Sequence, residues 1–146
     1  MKVAGCELCE SEGGLLVLSN EFLRVVLVDD TGFPGFARVI WNSHVREMTD
    51  LDDVAQRRLM RTVFAVERAQ RDVLRPAKVN VASLGNVTPH LHWHVIPRFD
   101  DDSHFPHPIW GSARREGDAA ALAARRGRLD VLRRRIAEEV ARVPRD

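Results

Sequence analysis

The chain has 146 residues, enough for one domain with a substantial core and too few for two ordinary ones. Lys and Arg number 22 against 21 Asp and Glu, a net charge of +1, so bulk charge does not tie it to nucleic acid or to a membrane surface. No apolar run nears the roughly 18 residues of a membrane span. Met1 to Cys6 lacks the apolar stretch of a signal peptide, and the expected address is the cytoplasm.

In chain order, Cys6 and Cys9 come first, in the string CELC. They are the only cysteines, which excludes a disulfide framework. In a reducing compartment such a pair reads as half a metal site or as a redox pair. The apolar runs 15–18 and 23–28 flank Ser19-Asn20-Glu21 and read as a hairpin. A turn-rich loop, 29–35, leads to a third strand at 37–41. Thr49 is a candidate helix N-cap, with Asp50, Asp52 and Asp53 placing negative charge in the first turn. Apolar residues then recur at near-helical spacing from Leu51 to Val73, and Pro76 ends a helix read as 50–74.

Residues 78–83 alternate as a strand, Gly85 to Pro89 read as a turn, and 90–97 alternate strictly. The stretch 99–113 is a loop with acids, His104, His107 and Trp110. Residues 116–142 read as two helices divided at Gly127, or as one helix kinked there, with Leu129, Leu132, Ile136 and Val140 on the apolar face. Short-turn strands and helices in separate blocks define an antiparallel α+β class. Neither a dinucleotide-binding glycine motif nor a P-loop is present.

The chemistry concentrates in Pro89-His90-Leu91-His92-Trp93-His94-Val95-Ile96-Pro97. On a strand, alternate side chains share a face, so His90, His92 and His94 form one row and Leu91, Trp93 and Val95 a core-facing row. Imidazole titrates near neutrality and serves as nucleophile, proton donor or metal ligand. Two other readings stand beside catalysis. One is a polar strand face that happens to carry histidines. The other is a metal cage completed by Asp100–Asp102, His104 and His107.

The pattern His-φ-His-φ-His-φ-φ, with φ a hydrophobic residue, resembles the signature of the histidine triad (HIT) family of nucleotidyl hydrolases and transferases. The likeness extends over roughly residues 6–98. Val39-Ile40-Trp41-Asn42-Ser43-His44 stands where that family has a strand ending V-I-P-x-x-H. Asn80, Gly85 and Pro97-Arg98 follow the family order. The resemblance implies a HIT-like antiparallel sheet of about five strands with a central helix. Residues 1–113 would form the HIT domain and 114–146 a C-terminal helical extension packed on it.

The resemblance also implies roles. His92 attacks an α-phosphate and carries a covalent nucleotidyl group, while His94 contacts phosphate oxygens and assists the leaving group. His90 completes the catalytic row. Asn80 contacts phosphate or leaving group, Gly85, Asn86 and Val87 surround the phosphate, and Asp29 or Asp30 binds the ribose. Phe22, Val25 and Leu27 stand as base-pocket walls or as ordinary core. Cys6, Cys9, His44 and His90 match a zinc-binding branch, a Cys2His2 set suited to a structural Zn2+, and no catalytic metal is required. The implied substrates are dinucleoside polyphosphates or nucleoside phosphoramidates. The implied assembly is a homodimer through helix 50–74, with Trp110 reaching the partner's site or packing on its own domain.

Three residues depart from the family pattern. Phe36 replaces an additional histidine, Val87 a hydroxyl residue, and Trp41 the strand-ending proline. A nucleotide-binding homodimer with little or no catalysis is therefore the alternative. A metal-dependent hydrolase using the triad as ligands is a third reading.

Overall fold

A computed structural model of the chain describes residues 1–29 and 31–145. Five strands form one antiparallel sheet in the order β1-β2-β3-β5-β4. They are β1 (Leu15–Ser19), β2 (Leu23–Leu27), β3 (Ala37–Trp41), β4 (Lys78–Ala82) and β5 (His92–Arg98). The β1–β2 turn closes because the Asn20 side-chain oxygen accepts from the backbone N–H of Phe22 and Leu23, at 2.9 and 3.0 Å.

A short helix, α1 (Glu7–Glu10), precedes the sheet and was not expected from the sequence. The central helix α2 runs Asp53–Leu74 rather than from residue 50. Thr49 is not its cap. Met48–Asp50 form a separate 3-10 turn in which Asp50 accepts from the N–H of Arg46 and Glu47. Leu51 is extended, so the helix begins anew behind Asp52, whose carboxylate accepts from Ala55 N–H at 2.8 Å. Arg75 ends α2 in the left-handed region and Pro76 follows.

The sheet has two unlike faces. Leu23, Val25 and Leu27 of β2, Ala37, Val39 and Trp41 of β3, and Val95 of β5 face α2 and join Leu59, Val63, Val66 and Ala69 in the main core. Val25 and Leu27 are thus core, on the face away from the histidines, and not walls of a base pocket. Gln70 is the polar exception in this layer. Its amide N–H group donates to the carbonyls of Gly35 and Val95, at 2.9 and 2.8 Å, locking α2 to β5 and to the approach of β3. Gly35 sits at φ +89°, and a Cβ there would come within 2.5 Å of Leu74.

The opposite face holds Arg24, Val26, Arg38, Ile40, His92, His94, Ile96 and Asn80, as the strand registers require. Leu8 of α1 packs there on Val26 and Ile40. Two further helices, α3 (Ala119–Arg126) and α4 (Leu129–Ala141), follow the 99–113 segment. Gly127 closes α3, where the sequence placed the break. Leu132 and Ile136 of α4 are wholly buried in the main core. Glu139 pairs with Arg68 of α2 at 3.2 Å.

This packing makes α4 part of the fold's stability. Leu132→Ala is expected to destabilise the chain by about 2–5 kcal/mol, read as a lower urea midpoint with an unchanged slope. A midpoint unmoved by that substitution would detach α4 from the cooperative unit.

Candidate functional site

The row of three histidines divides where β5 begins. His92 and His94 lie on the strand with ring centroids 4.9 Å apart. His90 precedes it, since its N–H bonds the Thr88 carbonyl and not the ladder. Its ring turns toward the cysteines instead.

Four side chains converge there. The His90 Nδ1 lies 3.5 Å from the sulfurs of both Cys6 and Cys9, and the His44 Nδ1 lies 3.5 Å from that of Cys9. All four ligand atoms fall within 4.8 Å of one another. A tetrahedral zinc with Zn–S of about 2.3 Å and Zn–N of about 2.0–2.1 Å separates its sulfur and nitrogen ligands by about 3.5 Å. The donor set and its spacing therefore fit zinc. His90 Nε2 donates to the Trp41 carbonyl at 2.6 Å, which leaves Nδ1 unprotonated toward the sulfurs. The loop 99–113 does not build the rival metal cage. Both oxygens of Asp102 are taken by Arg98 and by backbone N–H groups, and Asp101 pairs with Arg125.

His92 is oriented by the same residue. Its Nδ1 donates to the His90 carbonyl at 2.6 Å, so the lone pair of the neutral ring resides on Nε2. Among the described residues nothing hydrogen-bonds that Nε2, and the atom is not enclosed, although the side chain as a whole is buried. Burial pushes the His92 pKa below the ordinary histidine value, against the opposing pull of the His90 carbonyl. The ring is thus neutral and nucleophilic at neutral pH.

His94 occupies an aromatic box. Phe36 and Trp110 meet it edge-on with centroids at 5.5 and 5.1 Å. Its Nδ1 is buried without a partner. Burial first, then His92 and Arg38, push its pKa down to about 4. Trp110 packs on its own chain's His94, which settles its first contact.

The remaining candidates are distributed more widely. Asn80 lies on the triad face of β4, where its side-chain oxygen accepts from Arg98 at 2.9 Å. Gly85 turns the chain at φ +78°. Asn86 and Val87 are exposed, Val87 at 95 %, and no hydrogen bond joins residues 85–87 to His92. That loop leans instead on α1, with the Thr88 hydroxyl 3.3 Å from the Glu7 carboxylate. Asp29 is exposed just past β2, and Asp30 lies outside the described residues.

Sequence reasoning passed over Arg38, met Arg98 only in the family order Pro97-Arg98, and met Asp102 only as a candidate metal ligand. Arg98 is almost fully buried, forked onto Asp102 at 2.8 and 3.0 Å, and also donates to the His107 carbonyl. Phe33 and Phe105 lie beside its guanidinium. A lone arginine inside each of the strands ARVIW and HWHVIPR was the available signal.

The sequence model of the HIT domain matches residues 13–101, and the chain belongs to that family. A Mycobacterium tuberculosis protein described as AP-4-A phosphorylase is 33 % identical over 107 residues, covering 69 % of this chain and 55 % of that protein. The chain thus spans about half the length of the curated relatives it matches. A histidine triad protein of Bradyrhizobium japonicum superposes with a TM-score of 0.70 at 29 % identity, over 86 % of this chain and 92 % of that one. A Zn-bound histidine triad family protein of Mycobacterium smegmatis shares the fold, with a TM-score of 0.62 at 19 % identity over 92 % and 94 % of the two chains. Among the described residues no helix is long and apolar enough to cross a membrane.

Two measurements follow. Chain purified in reductant is expected to carry one zinc ion per chain, with chelation lowering Tm. Cys9→Ser should lower both metal content and Tm, and equal metal content in wild type and variant would contradict the assigned ligands. For His94, the folded pKa of about 4 lies below the ordinary 6.5, so below pH 6.5 the unfolded chain binds more protons. Its contribution is complete above pH 6.5 and fades as pH falls toward 4, a loss on the order of 3 kcal/mol. Urea midpoints across that range should fall less steeply for His94→Phe than for wild type.

Proposed function

We propose that the chain is a HIT-family nucleotide phosphoryl hydrolase or nucleotidyl transferase. The observation that carries the reading is the tautomer of His92. A backbone carbonyl holds the proton on Nδ1 and directs an unpartnered, accessible Nε2 lone pair away from it. Nε2 attacks the α-phosphorus of a nucleotide, a P–N bond forms, and the bond from phosphorus to the leaving group breaks. The leaving group departs with the electron pair and takes a proton. Water then attacks the same phosphorus, the P–N bond breaks, and a nucleoside monophosphate leaves with neutral His92 restored. Inorganic phosphate in place of water would yield a nucleoside diphosphate, and the name of the Mycobacterium tuberculosis relative makes it the second acceptor to examine.

Substrates of the dinucleoside polyphosphate or nucleoside phosphoramidate type suit this chemistry. Asn80, with its oxygen held by Arg98, presents only N–H donors to the site, which suits a phosphate oxygen or an anionic leaving group. Gly85, Asn86, Val87 and Asp29 are carried as substrate contacts on the family resemblance. His90 acts as the link between metal cluster and nucleophile, since both ring nitrogens are engaged. The metal cluster is structural. Zinc there would fix His90 and through it the carbonyl that orients His92. We read residues 114–146 as an extension of the same unit, and the half-exposed Phe64 of α2 as part of a homodimer face.

One observation favours the slower, binding alternative. His94 at a pKa of about 4 holds no second proton at pH 7, so it donates an N–H hydrogen bond but is a poor general acid.

His92→Ala is expected to lower nucleoside monophosphate release by about a thousandfold or more. Wild-type protein quenched in acid during turnover should carry one added nucleotidyl mass, absent from the variant. Activity surviving in the variant would refute the covalent mechanism. Tight monophosphate binding with no adduct and no turnover would select the alternative.

A further inference from the structure

Three arginines line the histidine face of the sheet, and two are closed off. Arg24 donates to the carbonyls of Glu12, Leu8 and Ser11 and to the Asn42 side chain. Arg98 is consumed by Asp102, Asn80 and the His107 carbonyl. Arg38 differs from both. It stands on β3 directly opposite His94, two pairs from the match of Ile40 with His92. Among the described residues its only side-chain hydrogen bond runs from Nη1 to the Gly13 carbonyl at 3.0 Å. Its Nε is buried, with no partner among the described residues.

A charged donor left empty in a buried position calls for an acceptor that the chain itself does not supply. Among the described residues no carboxylate forms an ion pair with Arg38. The Glu7 carboxylate, whose field favours the charged guanidinium, accepts instead from the Thr88 hydroxyl. The Phe36 ring beside the guanidinium, 5.8 Å from centroid to carbon, walls that side with an apolar surface. The Arg38 charge reaches both His92 and His94, where it disfavours the imidazolium forms. A planar fork beside two neutral imidazoles is a geometry for phosphate oxygens.

We propose that Arg38 is a substrate-binding residue whose guanidinium donates hydrogen bonds to the phosphate oxygens of the nucleotide presented to His92. The inference rests on the nucleotide reading above and adds to it the group that supplies the missing positive charge. As charge accumulates on the phosphoryl oxygens during attack, the same donors oppose it, so the role extends from binding to turnover. The assignment comes from the register and from the empty donor.

The test compares adenosine 5′-monophosphate with adenosine by calorimetry on the zinc-loaded full chain. Wild type is expected to prefer the monophosphate. Arg38→Met keeps the apolar stem and should weaken monophosphate binding about tenfold or more while adenosine changes by less than about twofold. Arg38→Lys keeps the charge but not the fork, and should show a smaller loss that is again confined to the monophosphate. The lysine variant carries the test alone if the methionine variant does not fold. Unchanged monophosphate affinity, or equal losses for the two ligands, overturns the proposal, as does a wild type without preference for the monophosphate. The nucleotidyl adduct separates the two claims. An adduct in wild type with unchanged affinity in both variants defeats Arg38 alone. A phosphate-selective loss without any adduct leaves Arg38 standing and defeats the covalent mechanism.

Discussion

The arrangement depends on how one imidazole is clamped. His90 donates from Nε2 to the Trp41 carbonyl and turns Nδ1 to two sulfurs, while its own carbonyl takes the proton of His92 Nδ1. Each of these contacts is directional, and together they transmit the position of the N-terminal cysteines to His92. If the ring swung out, the carbonyl would move with the backbone and His92 would lose the partner that selects its tautomer. The metal cluster and the His92 Nε2 are thus mechanically joined but chemically separate.

The sheet lets one layer be inert and the other reactive. Period-two alternation sends Val25, Val39 and Val95 into α2 and sends Arg38, Ile40, His92 and His94 to the other side. α1 then covers only part of that second face, with Leu8 on Val26 and Ile40. The consequence is electrostatic. Burial without ionic partners keeps the histidines neutral, and a neutral ring is what a phosphorus atom requires of a nitrogen nucleophile. The same low-dielectric surroundings make an unfilled guanidinium donor costly at rest and useful when an anion arrives.

The segment after β5 is strapped down rather than loose. Arg98 and Asp102 are both almost fully buried, and their fork is completed by the N–H groups of Phe99, His104 and Phe105. Removing one partner would bury an unpaired charge, so this pair specifies a single path for the chain more than it adds stability. Along that path Trp110 reaches His94. An aromatic segment that reads as a loop in the sequence thereby becomes a wall of the histidine pocket.

Local pattern in the sequence determined most of the elements, the two-faced sheet, the division at Gly127 and the face that His92 and His94 share. These follow from alternation, helical spacing and turn residues, which act over a few positions. Helix boundaries were less legible, because Thr49 and Asp52 are both competent caps and only the extended conformation of Leu51 chose between them. The tertiary structure alone decided what depends on distant partners. It assigned His90 to the cysteines, packed Trp110 on its own His94, gave Asn80 and Asp102 to Arg98, and left Arg38 with an empty donor. A periodicity says which face a side chain takes, but whether a charge on that face finds a partner depends on chain that returns from elsewhere, and no local pattern records that return.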